Sequence, residues 1–166
     1  SQFCNVSKDK IISAPDVSSI YDVPINFEKD HISSLIVSTL KLKRKKETDL
    51  ILKWKNFFKK SKEDVNIAIV GKYFNTGDFI LSDAYLSVIE SLKYAGYKNK
   101  VNAKLSWLSS QDFESGKIPL SDLKKYQGVL IPGGFGSTGV EGKIKVIQYL
   151  RENKIPFLGI CYGMQL

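Results

Sequence analysis

From residue 65 onward the chain predicts an α/β fold, a doubly wound and mainly parallel sheet. Three observations carry that expectation. Short apolar runs suited to buried strands alternate with longer segments whose apolar residues recur at helical spacing. The order strand, helix, strand favours parallel crossover units over hairpins. Both glycine-rich loops, residues 132–139 and 161–163, fall at the carboxyl ends of predicted strands, where open α/β sheets place their chemistry.

The elements follow in order. Residues 65–70 are an apolar run ending at Gly71, read as a buried strand. Residues 82–95 read as a helix, with Ser82 as cap, Tyr85, Leu86, Ile89 and Leu92 on one face, and Gly96 as stop. Val101, Ala103, Leu105 and Trp107 alternate with polar residues, as in a half-exposed strand. Residues 128–131 form another buried strand. A helix over 141–153 turns Ile144, Ile147 and Leu150 inward, and 155–160 is the last strand. Upstream, a helix is expected around 29–40 and would carry His31.

Composition excludes several classes. With 166 residues, 43% apolar content and a mean hydropathy of −0.15, the chain fits one soluble domain or one plus part of another. No apolar run approaches the roughly 20 residues needed to span a membrane, and no signal-peptide pattern opens the chain. Cys4 and Cys161 lie far apart and suggest reduced thiols in a cytoplasmic protein. A single histidine and the lack of CxxC or HExxH spacing argue against a metal site.

The net charge of +8 belongs to one stretch. Residues 41–62 hold ten of the 25 basic residues and two acids, so the remainder balances. Within it, Leu50, Ile51, Trp54, Phe57 and Phe58 recur at helical spacing, with Lys53, Lys55, Lys59 and Lys60 mostly opposite. One reading is a non-catalytic module touching nucleic acid or an anionic membrane. The other is a linker and an amphipathic helix whose aromatic stripe docks on a neighbouring domain. The second is preferred, because the aromatics gather on one stripe instead of interleaving with charge as a base-stacking surface requires.

The loops carry the chemistry. Gly134-Phe-Gly-Ser-Thr-Gly139 satisfies G-x-G-x-x-G, but it follows the third strand of the unit, and Pro132-Gly133 lengthens the turn. The next strand ends in Cys161, where a dinucleotide site wants an acid. Gly159-Ile-Cys-Tyr-Gly163 is more specific. Gly-x-Cys-x-Gly after a strand matches a nucleophile elbow, in which a strained turn exposes the nucleophile. Amides beyond the turn favour a thiolate and can stabilise an oxyanion.

At these residues the chain resembles a known family. Gly159-Ile-Cys-Tyr-Gly-Met-Gln165 is similar to the active-site segment of class I glutamine amidotransferases. Ile131-Pro-Gly-Gly-Phe-Gly-Ser-Thr-Gly-Val-Glu-Gly-Lys143 resembles the oxyanion-loop segment of the CTP synthase family. Ile69-Val-Gly-Lys-Tyr73 and Asp83-Ala-Tyr-Leu-Ser-Val-Ile89 agree. So do Phe3-Cys-Asn-Val6 and Asp16-Val-Ser-Ser-Ile-Tyr21, which resemble the end of that family's synthetase domain.

The resemblance implies a flavodoxin-like class I glutaminase fold in truncated form, preceded by the remnant of a P-loop-like synthetase domain. The implied boundaries are 1–46 for the synthetase end, 47–64 for a linker helix and 65–166 for the glutaminase part. The implied activity is that of a ligase making CTP from UTP, ATP and glutamine, with Mg²⁺ serving the ATP step and GTP as activator. Cys161 matches the nucleophile. Gly134 and the Tyr162 amide match the oxyanion hole, and Phe135, Tyr162, Gly163, Met164 and Gln165 lie near glutamine. Asp16 and Val17 match an adenine contact, although Pro15 replaces the usual lysine beside them. Thr138, Gly139 and Glu141 fall in the segment associated with GTP, and Thr138 replaces the usual arginine, so the conventional GTP response is not carried over. Residues 73–82 form a longer loop than the family carries, and movement is expected there. The family assembles as tetramers, and a homo-oligomer is implied, with no nucleic acid or membrane partner.

The family's base is a His within a His-x-Glu pair downstream of the cysteine. His31 precedes Cys161 and is expected to be an ordinary surface or helix histidine. The chain is therefore expected to be a fragment, inactive by itself. Another class I amidotransferase or a related cysteine hydrolase remains the rival within enzymes. The Gly-Gly-Phe-Gly block and the synthetase-like amino end count against both.

Overall fold

The structure is a computed structural model, and it describes residues 3–43, 49–59, 61–72, 85–134 and 136–166. The chain divides into two compact units, Ser1–Lys59 and Lys60–Leu166.

The first unit contains single 3₁₀ turns at Lys8–Lys10 and Ile20–Asp22, then α1 (Val23–Lys29), α2 (Ile32–Thr39) and α3 (Leu50–Phe57). Pro24 sits in the first turn of α1, where its missing N–H costs nothing. The helix expected over 29–40 is split, and His31 lies outside it. His31 takes a left-handed backbone, φ 57° and ψ 34°, and caps α2 with an exposed side chain. Histidine and aspartate tolerate that region better than most residues, and the Asp30 carboxylate is occupied by the Ser13 N–H at 3.1 Å. The chain can therefore turn here.

The aromatic stripe of α3 is half-buried inside this same unit. The Phe58 ring stacks on Tyr21 with centroids 4.0 Å apart, and the Trp54 indole N–H donates to the Tyr21 carbonyl at 2.8 Å. Lys53, Lys55 and Lys59 face solvent. Leu50 and Ile51, expected on the same stripe, remain exposed, so only its aromatic half is covered. Lys60 and residues 44–48 lie outside the described residues.

The second unit is built on β1 (Asp64–Gly71), α4 (Leu86–Asn99), β2 (Asn102–Ser109), α5 (Ser110–Glu114), β3 (Gly128–Ile131), α6 (Val140–Glu152), β4 (Phe157–Gly159) and α7 (Tyr162–Gln165), with a 3₁₀ stretch at Leu120–Lys125. The four strands pair in parallel in the order β2-β1-β3-β4. Alternation along the central strands divides the core. Ala68, Val70, Val129 and Ile131 face Phe113, Leu123, Val146 and Leu150, whereas Ile69 and Leu130 face Tyr85, Val88 and Leu92. Helices thus cover both faces, as in a doubly wound sheet. This is the expected fold class, and each of the four expected strands is present.

Boundaries differ in instructive places. Gly96 does not stop α4, which runs to Asn99 and ends at left-handed Lys100, φ 58°. Gly96 is buried because a Cβ there would come within 2.9 Å of the Val101 carbonyl oxygen; it lets the helix lie against the incoming strand. The last strand is shorter than expected and keeps Leu158 exposed at the sheet edge. The cap expected at Ser82 and the loop expected over 73–82 lie outside the described residues.

Leu150 is fully buried between α6 and the sheet. Leu150→Ala is expected to cost about 2–5 kcal/mol of stability through the cavity it leaves. The urea midpoint should fall while the slope of the transition stays constant.

Candidate active site

The site forms where β3 and β4 end side by side. Ile131 pairs with Gly159, and the Ile160 N–H donates to the Ile131 carbonyl at 3.0 Å. The chain then turns at Cys161, whose φ of 55° and ψ of −116° are costly for a residue with a Cβ. Such a conformation stores about 1–3 kcal/mol and persists only where its surroundings impose it. The imposing contacts are the two bracketing glycines. A Cβ on Gly159 would run into the Gly163 carbonyl, and one on Gly163 into the carbonyl of Ile131. The result is a sharp strand-to-helix turn with an exposed thiol at its tip.

The loop after β3 closes over this tip. A Cβ built on Gly133 would lie 3.1 Å from Cys161 Cβ and 3.5 Å from its Sγ. Three groups hold the loop. The Tyr85 hydroxyl donates to the Gly133 carbonyl at 3.4 Å, Lys72 Nζ to the Gly136 carbonyl at 3.1 Å, and Lys143 Nζ to the Pro132 carbonyl at 3.3 Å. Lys143 is buried, and its loss of hydration, followed by the nearby Lys72 ammonium, holds its pKa below the ordinary lysine range. Among the described residues, no hydrogen bond uses the amides of Gly133, Gly134 or Tyr162. Free backbone donors beside a thiol at a strand end are suited to acyl transfer from an amide.

Comparison with known proteins agrees with this geometry. The family model described as glutamine amidotransferase class-I matches residues 80–166, and that described as CTP synthase N-terminus matches residues 1–42. The chain belongs to the class I glutamine amidotransferases. The second match places it with the CTP synthases of that family, as do its relatives. CTP synthases from Clostridium kluyveri and Pyrococcus furiosus are each 44% identical, over 98% and 100% of this chain, and that from Mycoplasma mycoides is 45% identical over 100%. The chain spans 29–30% of the length of these relatives. A solved structure described as Trypanosoma brucei CTPS, glutaminase domain with bound acivicin, is similar with a TM-score of 0.54 and 33% identity. That match covers 61% of this chain and 38% of the other.

Within this amidotransferase frame the expected site residues fall into three groups. Tyr162 and Gly163 follow Cys161 directly, and Gly134 comes one residue after Gly133, which abuts it; Met164 and Gln165 follow on α7 with exposed side chains, and Phe135 lies outside the described residues. Gly139, at φ 72°, starts α6; Glu141 is exposed in its first turn and Thr138 is exposed before it. Asp16, exposed, and Val17, half-buried, belong to the first unit, between its two 3₁₀ turns. Gly133 lies against Cys161, as the glycine-rich block at the end of that strand leads one to expect. Two groups that hold its loop were given no role from sequence: nothing in the spacing of Lys72 and Lys143 signals that both reach one loop.

Proposed function

We propose that this chain carries the nucleophile half of a CTP synthase glutaminase site and the end of the synthetase domain that consumes its ammonia. The observation that carries the reading is the strained Cys161 beside Gly133, with unspent amides around it. In this mechanism the Cys161 thiolate attacks the glutamine carboxamide carbon. The oxygen gains negative charge within reach of the Gly134 and Tyr162 amides, ammonia leaves, and a thioester remains. Water then releases glutamate and restores the thiol. Ammonia goes on to attack C4 of a uracil whose O4 has been phosphorylated by ATP; the C4–O4 bond breaks, phosphate leaves with that oxygen, and CTP results.

The acid–base partner in this reading is a histidine that follows the nucleophile in sequence, whereas His31 precedes it. The isolated chain is therefore proposed to hydrolyse no glutamine at a measurable rate. Asp16 and Val17 are proposed to touch adenine. Thr138, Gly139 and Glu141 are proposed to line a GTP-responsive segment lacking the usual guanidinium. Mg²⁺ is proposed to serve the ATP step in the full-length enzyme; among the described residues no group of three or more His, Cys, Asp or Glu side chains could hold a metal ion. A tetrameric, cytoplasmic enzyme is part of the same proposal. No described helix is long and apolar enough to cross a membrane.

Mapping by a glutamine-like electrophile tests the nucleophile. Acivicin, bound in the similar trypanosomal glutaminase domain, or another reactive glutamine analogue is expected to alkylate Cys161 in the full-length enzyme, the thiolate displacing the reagent's leaving group, so that the peptide containing Cys161 gains the reagent's mass less that of the acid lost. Free glutamine should slow the labelling. Modification confined to Cys4, or labelling that glutamine does not slow, would count against the assignment.

A further inference from the structure

Lys143 occupies an expensive place for a lysine. It lies early in α6, and only 1% of its surface reaches solvent. Withdrawing an ammonium from water is costly unless charges or hydrogen bonds replace its hydration. Among the described residues Lys143 forms no ion pair with a carboxylate. Its partners are the Pro132 carbonyl, at 3.3 Å, and the Tyr162 ring, whose centre lies 6.0 Å from Nζ. An unbranched apolar side chain such as methionine would fill the same space without the desolvation cost.

Both partners belong to the cysteine's surroundings. The Pro132 carbonyl and the Gly133 N–H share one planar peptide, so fixing one fixes the other. Gly133 abuts Cys161, and Tyr162 is the first residue of α7 after it. Resting on the reading of Cys161 as the glutaminase nucleophile, we propose that Lys143 is a positioning residue of that site. From beneath the loop it pins and polarises the Pro132–Gly133 peptide, and through the Tyr162 ring it holds the start of α7 beside that peptide.

The physical consequence is specific to charge development. A carbonyl that accepts from a cation makes the N–H of the same peptide a stronger donor. That gain matters most when negative charge appears nearby, as on the carboxamide oxygen during attack. A cation–π contact at this distance adds orientation more than energy. Reactions of the thiol that generate no oxyanion should not sense Lys143.

The test uses the full-length enzyme. Lys143→Met keeps the length of the side chain and removes the charge. The kcat for glutamine hydrolysis is expected to fall about tenfold at unchanged KM, less than for direct loss of an oxyanion donor. The melting temperature should match or exceed that of the parent, because an unpaired buried charge has gone. Alkylation of Cys161 by iodoacetamide should keep its rate. Lys143→Gln retains an N–H donor towards Pro132 and should recover part of the lost kcat. The proposal is overturned if Lys143→Met turns over glutamine at the parental kcat, or if alkylation slows in step with hydrolysis. It is also overturned if activity and melting temperature fall together in both variants. Cys161→Ala, run alongside, separates the two levels. Ammonia release surviving in that variant would remove the nucleophile assignment itself. Its loss, together with a normal Lys143→Met, would remove only the role of Lys143.

Discussion

Cys161→Ala is expected to abolish glutamine-dependent CTP formation in the full-length enzyme and to leave ammonia-dependent formation close to the parental rate. In the proposed mechanism the two outcomes separate because the thiol serves only the release of ammonia, whereas its consumption belongs to the synthetase chemistry. Without the thiolate no thioester forms, and losses of this kind reach about 10⁶ in kcat for nucleophiles in other acyl-transfer enzymes. Structure should survive: the side chain is exposed, so its loss opens no core cavity. Alanine must still accept φ 55° and ψ −116°, and a change of more than about 1 kcal/mol in stability is not expected. Ammonia release and CTP formation, followed in parallel with each nitrogen source, form the assay. Continued use of glutamine would remove Cys161 from the mechanism. Loss of both activities in a folded variant would remove the division of labour.

The second large effect falls on a residue with no chemistry of its own. Gly163→Ala would place a methyl group into the Ile131 carbonyl, at the end of the strand that carries the loop facing Cys161. The obstacle is backbone within a paired sheet, so no side chain can swing away. Relief requires α7 to lift from β3, taking Cys161 with it. A destabilisation of about 3 kcal/mol or more is expected, at the upper end of overpacking costs. Alkylation of the thiol should change as well, since the turn that presents it is lost. Gly128→Ala is the matched control: its added Cβ meets nothing closer than the Pro156 carbonyl at 3.8 Å, and it should stay within about 0.5 kcal/mol of the parent. Equal stability of the two variants in chemical denaturation would show that the elbow does not depend on this close approach.

Much of the architecture was legible because the inner strands of a two-sided sheet are nearly uniformly apolar, while the edge strand over residues 102–109 shows itself by alternation. The run at residues 128–131 could hardly be anything else, and the structure places β3 over those same residues. Gly159, Cys161 and Gly163 were legible for a steric reason, since their spacing makes sense only where backbone crosses backbone. Gly96 misled because glycine has two uses that look alike in one dimension. It can end a helix, or it can let a helix approach a strand, and here the buried approach to Val101 prevailed. His31 misled because helical periodicity continues across residues 29–40 while the backbone reverses hand at a single residue. Lys143 was illegible in principle. Its burial depends on a loop eleven residues earlier and on a ring from the far side of β4, and lysine carries a strong prior for solvent.

The strand order β2-β1-β3-β4 also sets a timetable for a chain leaving the ribosome. Asp64 finds Asn102 early, so the β1–β2 ladder can close first. Ile67 must wait for Gly128 before β1 gains its second neighbour. At synthesis rates of about 5–20 residues per second, those roughly 60 residues take about 3–12 seconds. Throughout that interval Ile67 and Ile69 lie on an apolar strand with at least one open edge, and with two until β2 is made, the kind that recruits strands from other nascent chains. The turn that presents Cys161 stands at the paired ends of β3 and β4, so it forms only after this hazard has passed.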